Sequence, residues 1–369
     1  MAGSDDRQKS GLAQAYAGKR CLVTGHTGFK GAWLSLWLRD LGAQVTGYSL
    51  AEPVSEPSLF ELAGIGSLVE DRRGDLRDYD RLLGTLKRAR PEIIFHLAAQ
   101  PIVRLSYAAP KDTFEVNVGG TVNLLEASRA TDSIRAIVVI TSDKCYENRE
   151  WAYSYRETDH LGGHDPYSAS KAAAELVCAA YRSSFFEAAG VNLATIRAGN
   201  VIGGGDWAAD RIIPDFMRAV AAGETVKVRH PEATRPWQHV LDPLQGYLFL
   251  GARLLEAPGE SPEPNRFTGA WNFGPAREGC RTVRELVESF TASYGSGAWL
   301  DISEHGQNEP HEAHYLALAT DKARQYLGWR PEWDFPTAVE RTAGWYRKWA
   351  SGGNALELCR GDLARFAKQ

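Results

Sequence analysis

A glycine-rich loop between a short apolar run and an amphipathic stretch constrains the fold of this chain most. Residues 20–24 are apolar and strand-like, residues 24–31 form the loop, and residues 30–41 have helical spacing that stops at Gly42. Glycines let backbone N–H groups approach a pyrophosphate, and the N-terminus of the following helix adds partial positive charge. The sequence therefore predicts the first strand, loop and helix of a dinucleotide-binding Rossmann sheet.

The loop glycines are spaced GxxGxxG rather than GxGxxG, and a plain structural turn is the alternative interpretation. His26 and Lys30 can contact phosphate, although a solvated first-turn side chain is an equal alternative for Lys30. The predicted cofactor-binding residues of the loop are Gly25, His26, Thr27, Gly28, Phe29, Lys30 and Gly31.

Further strand patterns alternate with helical patterns through the first half of the chain. Strands separated by helices imply right-handed βαβ units, hence an α/β fold with a parallel sheet and helices on both faces. After Asn200 the regular alternation of strand and helix patterns ends. We expect a dinucleotide-binding domain at residues 19–200 and a smaller, mixed, mainly substrate-binding domain at residues 201–369, with residues 238–273 partly returning to the first. The strand candidates are residues 43–49, 93–97, 136–140 and 193–197.

A tyrosine and a lysine four residues apart follow the strand predicted at residues 136–140. Asp165 suits a helix N-cap and Pro166 the first helical position, so Tyr167 and Lys171 lie on one helix face. A close ammonium lowers the pKa of a tyrosine, which would make Tyr167 a base near neutral pH. Lys171 can also hold a nicotinamide ribose. The pattern predicts hydride-transfer chemistry.

Three polar residues end the strand at residues 136–141. In an open α/β sheet, ligands bind beyond the carboxyl ends of the strands. We expect Ser142 to hydrogen-bond the hydroxyl that is oxidised and Asp143 to donate a proton to a leaving hydroxyl. Lys144 can hydrogen-bond or assist proton transfer, and a solvated loop position is its alternative.

The end of the second strand lacks the usual ribose ligand. Residues 47–50 read Gly-Tyr-Ser-Leu, with no carboxylate for a ribose hydroxyl and no arginine for a 2′-phosphate. The residues at this position therefore do not decide whether the cofactor is NAD or NADP. Asp75 is a candidate adenine contact, and an ordinary turn aspartate is its alternative.

Composition narrows the class of protein. The 369 residues carry a net charge of −4 and show no basic face or tail, which argues against a nucleic-acid partner. Five scattered cysteines without a CxxC pair indicate reduced thiols and no metal site. Residues 1–18 are polar, so we expect a frayed tail rather than a secretory signal, no membrane span, and a cytoplasmic protein.

The loop, the Tyr167–Lys171 pair and the strand-end Ser142-Asp143-Lys144 together resemble the extended short-chain dehydrogenase/reductase superfamily. Further segments are similar to its CDP-D-glucose 4,6-dehydratase family, and the resemblance runs from about Lys19 to about Trp349. These segments are residues 25–31, 141–146, 197–207, 235–240, 271–275 and 311–316.

The resemblance implies that the chain binds NAD tightly and converts CDP-glucose into CDP-4-keto-6-deoxyglucose with loss of water. Tyr167 would take the C4 hydroxyl proton while hydride moves from C4 to NAD. Asp143 would then protonate the departing C6 hydroxyl, and the hydride would return to C6. The alternatives are a nucleotide-sugar epimerase, a dehydratase of another hexose nucleotide, and a binding module that has kept a Rossmann shell.

One residue departs from related dehydratases. The dTDP-glucose dehydratases have Asp-Glu where this chain has Asp143-Lys144, and that glutamate is their C5 base. Lys144 matches the CDP-glucose pattern. The C5 base therefore stays open between a neutral Lys144, a water that it positions, and the Tyr167 phenolate.

Substrate contacts and assembly also follow from the resemblance. Four residues would lie near the nucleotide diphosphate, while Gln100 and Arg104 would border the sugar. Without the resemblance, the arginines among them are as well explained as surface or structural residues. Helices at residues 113–130 and 167–189 would pair in a homodimer or higher homo-oligomer. The expected diphosphate contacts are Asn200, Arg211, Arg235 and His314.

Overall fold

The computed structural model describes residues 5–53, 55–256, 265–276, 279–303 and 315–368, and for residues 5–10 only the backbone. The strands within these ranges are β1 Arg20–Thr24, β2 Gln44–Ser49, β3 Glu70–Arg73, β4 Ile93–His96, β5 Ala136–Ile140, β6 Asn192–Ala198, β7 Val201–Ile202, β8 Val226–Val228, β9 Thr234–Pro236, β10 Gln238–His239, β11 Gly269–Phe273, β12 Cys280–Thr282 and β13 Trp299–Asp301.

The helices of the same ranges surround these strands. A π-helical stretch, Glu115–Gly119, joins two of them, and a second one, Arg182–Phe186, extends another. The α-helices are α1 Asp5–Tyr16, α2 Phe29–Asp40, α3 Leu59–Leu62, α4 Tyr79–Ala89, α5 Val103–Ala108, α6 Pro110–Phe114, α7 Gly120–Arg129, α8 Pro166–Tyr181, α9 Ile212–Ala222, α10 Leu241–Leu255, α11 Val283–Tyr294, α12 Phe335–Ala350 and α13 Ala355–Phe366.

Seven strands form one sheet in the order β11-β6-β5-β4-β1-β2-β3, and every pair in it is parallel. The strand order reverses between β1 and β4, which opens a crevice beyond their carboxyl ends. The predicted Rossmann-like α/β fold is therefore confirmed. The sequence pattern did not show β3, whose residues Glu-Asp-Arg-Arg are polar because this strand lies at the edge of the sheet.

Apolar side chains cover both faces of the sheet. Along β1, Cys21 and Val23 pack into one cluster with the helices that include α2 and α10, while Leu22 packs into another with α4 and α7. Successive residues of a strand point to opposite faces. The helices therefore lie on both sides of the sheet, as predicted.

Part of the segment expected to be a frayed tail is helical in the structure. Residues 5–16 form α1, and its last turn is part of the core, with Leu12 and Tyr16 buried. The Tyr16 hydroxyl donates to the carbonyl of Leu248 on α10 at 2.7 Å. Apolar side chains in this otherwise polar segment dock the helix on the core.

Small sheets and helices of the second half lie beyond the main sheet. The pairs are β7 with β10, β8 with β13 and β9 with β12. Helices α11 and α12 pack together in the same half. Of the segment 238–273, β11 joins the main sheet beside β6, whereas β10 does not. A domain boundary at residue 200 stays a prediction.

Candidate active site

A cavity of about 760 Å³ lies at the carboxyl ends of the central strands. The glycine loop lines one part of it, the ends of β5 and β6 line its middle, and β8 with the residues after it lines another part. Both halves of the chain therefore contribute to one enclosed site large enough for extended ligands.

The glycine loop brings its backbone close to α2. Gly25 has a φ of 71°, and a Cβ on Gly31 would lie 2.1 Å from the Gly25 carbonyl oxygen. Gly28 is the N-cap of α2 and has no side chain to bond the first N–H groups. Gly25 and residues 27–31 line the cavity, which suits a pyrophosphate at the helix terminus.

His26 does not reach the cavity, which corrects its expected phosphate contact. Its ring is fully buried, Nε2 lies 2.9 Å from the Asp71 Oδ1, and its edge packs on Phe60. A Cβ on Gly47 would lie 2.1 Å from this ring. Burial lowers the pKa of His26, and nearby Asp71 opposes that shift. The histidine therefore holds the glycine loop in place through its contacts with Gly47 of β2 and Asp71 of β3.

Lys30 points into the site and is not a solvated first-turn side chain. It lines the cavity, and its charge interacts with Arg211, Asp143 and Lys171. Loss of hydration, together with the charge of Arg211, lowers the pKa of Lys30 to about 8. The charge of Asp143 opposes this shift. The loop therefore carries a cation toward the residues predicted to be catalytic.

The cavity beyond β2 and β3 has polar walls. The Asp75 carboxylate lines it, and hydrogen bonds from Arg77 hold the pKa of Asp75 below its usual range. At the end of β2, the Ser49 hydroxyl lies 2.7 Å from the Thr27 hydroxyl. Glu52, which sequence reasoning missed, also lines this wall. No sequence motif marks it, because it lies in an irregular connection.

Helix α8 begins as predicted and carries the Tyr-Lys pair. Asp165 is its N-cap and accepts from the backbone N–H of Ser168 at 2.9 Å, and Pro166 is the first helical residue. Tyr167 and Lys171 both line the cavity, and the Lys171 Nζ lies 6.0 Å from the Tyr167 ring centre. The Lys171 ammonium also donates to the Ile140 carbonyl at 3.5 Å.

The predicted lowering of the Tyr167 pKa is not present. Burial raises the pKa of Tyr167 to about 12, while a hydrogen bond with Ser142 and the charge of Arg211 oppose the shift. Burial also lowers the pKa of Lys171 to about 8. Sequence spacing gives the proximity of the pair, but it does not show how far both groups are removed from water.

The three strand-end residues lie beside the pair. Ser142 and Asp143 are buried, and the Ser142 hydroxyl donates to the Asp143 carboxylate at 3.0 Å. The Ser142 oxygen also accepts from the Lys144 backbone N–H at 3.2 Å. All three line the cavity. The structure thus brings together a hydroxyl that reaches Tyr167, a carboxylate and an amine at one wall.

Most predicted substrate residues lie at the cavity. Asn200, Arg211 and Arg235 line it, and Arg211 donates to the Asp206 carboxylate at 2.9 Å. Gln100 lines it too, but its side-chain amide is engaged with Thr113 at 2.9 Å and with the backbone of Ile102.

Two predicted residues are not found there. Arg104 does not line the cavity and instead faces Asp210 at 3.6 Å, and His314 lies outside the described residues. Sequence reasoning also missed Arg229 and His230, which follow β8 and line the site. A three-residue strand gives too short a pattern to place them.

Among the described residues, no group of three or more His, Cys, Asp or Glu side chains could hold a metal ion. No helix in the part of the chain that the structure describes is long and apolar enough to cross a bilayer.

A Rossmann sheet with a serine, a tyrosine and a lysine around one cavity defines a nicotinamide-dependent enzyme of the extended short-chain dehydrogenase/reductase class. Residues 22–342 match the model of the GDP-mannose 4,6 dehydratase family. The chain belongs to this family of nucleotide-sugar dehydratases.

Individual relatives agree with this family. The chain is 48% identical over 357 residues to a CDP-glucose 4,6-dehydratase of Salmonella typhimurium, covering 95% of this chain and 97% of the relative. It is 28% identical to a UDP-glucose 4-epimerase of Mycolicibacterium smegmatis, covering 89% and 98%. A dTDP-glucose 4,6-dehydratase of Streptomyces venezuelae, solved with NAD, superposes with a TM-score of 0.75 at 24% identity, covering 91% and 99%.

Proposed function

We propose that this protein is an NAD-dependent hydro-lyase that converts CDP-D-glucose into CDP-4-dehydro-6-deoxy-D-glucose for deoxysugar synthesis. The observation that carries the proposal is the placement of Ser142, Asp143 and Lys144 beside Tyr167 and Lys171 in one cavity. The pair alone suits any hydride transfer, whereas the buried carboxyl group of Asp143 next to it can, in its protonated form, supply the acid that a dehydration needs.

The residues of the site fit NAD. The glycine loop offers free N–H groups at the start of α2 for the pyrophosphate, and Lys171 is placed to bind the nicotinamide ribose. Asp75 lines the same cavity and suits the adenine. Bound there, NAD would supply the hydride acceptor and donor that a redox-neutral dehydration of the sugar needs.

The protein residues handle the protons. Tyr167, with Ser142 hydrogen-bonded to it, takes the C4 hydroxyl proton, and the Ser142 hydrogen bond and the charge of Arg211 favour the phenolate form. The C4 ketone makes the C5 proton acidic. Loss of that proton and of the C6 hydroxyl, protonated by Asp143, releases water and leaves a conjugated ketone. Tyr167 and Lys144, which both line the cavity, are the proposed acceptors of the C5 proton.

Arginines and an amide are suited to the diphosphate of the substrate. Arg211 and Arg235 line the wall of the cavity that β8 and β9 continue, with Asn200 beside them. Guanidinium groups bind phosphate oxygens with two parallel hydrogen bonds. We assign these three residues to the nucleotide diphosphate and the neighbouring Gln100 to the border of the sugar site.

Turnover without an external reductant tests the proposal. The NAD-loaded enzyme is incubated separately with CDP-, UDP- and dTDP-glucose, and the products are identified by NMR. We expect a 4-keto-6-deoxy sugar from CDP-glucose at the highest rate. A folded, NAD-loaded enzyme that makes a C4 epimer instead, or that prefers another nucleotide, would overturn the assignment.

We also propose a homodimer built on α8 and the helices beside it. Leu176 on α8 is 60% exposed, and Leu105, Phe114 and Phe185 on neighbouring helical segments are also exposed. Apolar side chains in such numbers on one side suit burial against a second copy. Light scattering should give twice the chain mass, and Leu176→Glu should give the monomer. A wild-type monomer would contradict this assembly.

The cytoplasm is the compartment that we propose for this enzyme. All five cysteines are free thiols, and four of them are buried. In the cytoplasm, glutathione and thioredoxin keep protein thiols reduced. Fractionation of cells that produce the protein should recover it with cytoplasmic markers, and recovery with an extracytoplasmic fraction would refute this location.

A further inference from the structure

Helix α8 carries a third ionisable side chain in register with the catalytic pair. Tyr167, Lys171 and Glu175 are four residues apart, so they form one stripe along the helix. Glu175 is 4% exposed and does not line the cavity. It lies behind the pair, between α8 and the sheet, where the mechanism described above does not use it.

The Glu175 carboxylate joins α8 to two strands. Its Oε1 accepts from the Thr141 hydroxyl at 2.5 Å, and its Oε2 accepts from the Thr195 hydroxyl at 2.7 Å and from Arg197 at 2.8 Å. Thr141 directly precedes Ser142 at the end of β5. Because both oxygens are engaged, the carboxylate fixes the distance between the strand end that carries Ser142 and the helix that carries Tyr167.

The partner arginine is held equally firmly. Arg197 donates to the Tyr146 hydroxyl at 2.9 Å and to the Glu157 carbonyl at 3.1 Å, and its ion pair with Glu175 is almost fully buried. Taking two charges out of water costs several kcal/mol, so a buried pair is weak evidence for a gain in stability. We therefore look for the function of this ion pair in the geometry or the charge of the site rather than in stability.

The charge of Glu175 acts on Lys171. Burial lowers the pKa of Lys171 to about 8, and the carboxylate of Glu175 opposes that shift. Burial raises the pKa values of the two nearby thiols, so both stay neutral. Of the acidic groups that act on Lys171, Glu175 is therefore the one that carries a negative charge in its ion pair with Arg197. The titratable groups that face Lys171 are Tyr167, Glu175, Cys145, Cys178, Lys30 and His96.

We propose that Glu175 is a positioning residue for the catalytic pair, which holds the Thr141–Ser142 strand end against the helix that carries Tyr167 and Lys171. The inference rests on the proposed dehydratase function and assigns a residue outside the cavity to it. Glu175 touches neither substrate nor cofactor. It acts through Thr141 and through its field at Lys171.

The pH dependence of Glu175→Gln tests this role. The amide has the same size but no charge, so the alkaline limb of the kcat profile should move to lower pH by about one unit. At the wild-type optimum kcat should fall about tenfold, while KM for CDP-glucose changes less than about twofold. Isotope-labelled lysine followed by NMR, with Lys171 assigned through Lys171→Arg, should show the same shift without turnover.

Two further variants separate positioning from folding. Glu187→Gln, which removes a half-exposed carboxylate after α8, should keep the wild-type profile. If Glu175→Gln does not fold, the double variant Glu175→Gln with Arg197→Met removes both buried charges and should still show the shifted limb.

Three outcomes are decisive. A wild-type profile and an unshifted Lys171 in a folded Glu175 variant would overturn the inference, and so would a shift of equal size in Glu187→Gln. Absence of turnover by the wild-type enzyme would instead overturn the proposed function, while the Lys171 titration would still test the effect of Glu175.

Discussion

At the residue scale, the environment of each ionisable group decides its role more than its spacing does. Tyr167 and Lys171 have the spacing of a catalytic pair, yet burial moves the pKa of the tyrosine up and that of the lysine down. The charge of Asp143 acts on both Tyr167 and Lys30, and its carboxylate accepts a hydrogen bond from Ser142. The carboxylate is thus the residue whose removal separates dehydration from oxidation.

Asp143→Asn should lower the rate of dehydration at least about 100-fold, because the amide cannot protonate the departing C6 hydroxyl. Oxidation at C4 needs Tyr167 and continues, so the absorbance of reduced nicotinamide should rise and persist after CDP-glucose is mixed with the enzyme. Asp80→Asn, on the exposed side of α4, is the matched control. Product formation at the wild-type rate would show that Asp143 is not the acid.

At the element scale, the turn between β1 and α2 depends on the absence of side chains. Gly31→Ala would place a Cβ 2.1 Å from the Gly25 carbonyl, so the loop must open. We expect NAD affinity, measured by calorimetry on the stripped enzyme, to fall at least about tenfold. Gly84→Ala on α4 has room for its methyl group and should leave affinity unchanged. Equal affinities in both variants would refute this account.

A second element-scale feature is the buried carboxylate at the start of α10. Asp242 accepts from the backbone N–H groups of Glu332 at 2.6 Å and Trp333 at 3.3 Å, and burial raises its pKa to about 8. The folded protein keeps this proton longer than the unfolded chain. Its contribution to stability is therefore complete below about pH 4 and is lost as the pH rises through about 8.

Asp242→Asn should remove this loss because the amide oxygen can still accept both bonds. We expect the free energy of unfolding above pH 8 to rise by about 2 kcal/mol, with little change near pH 4, in denaturant titrations. Asp132→Asn at an exposed position should have no such pH-dependent effect. A variant that is less stable than the wild type at high pH would contradict the assigned ionisation.

Sequence patterns predict the elements whose burial produces periodicity. The runs that became β1, β2, β4, β5 and β6 are apolar because both faces of the sheet are covered. The polar edge strand β3 and the helix α1 were not predicted, and the described side chains through which α1 packs on the core are Leu12, Ala15 and Tyr16.

For the site, too, sequence patterns predict the residues whose positions depend on local structure. Motif residues with fixed positions on strand ends and the start of α8 were placed correctly at the cavity, including Ser142 and Tyr167. His26 was not, because its direction depends on Asp71, forty-five residues away. Arg104 faces Asp210, a contact made through a residue with a φ of 58° that no local pattern reveals.

At the scale of the whole molecule, the chain leaves the main sheet after β6 and returns to it with β11. Between these strands along the chain lie α9, α10 and β9, whose Arg235 lines the cavity. Separating the two halves would pull β11 from β6, where residues 269–273 pair in register with residues 194–198. The ligand cavity is therefore built on one continuous hydrogen-bonded sheet.

This return of the chain makes the two halves one cooperative unit. Scanning calorimetry should show a single heat-absorption peak in which the calorimetric and van't Hoff enthalpies agree. Two separate peaks would mean that the halves melt independently. A destabilising substitution far from the cavity would then deplete the binding-competent enzyme as a whole, so inherited loss of activity need not map to the residues that touch the sugar.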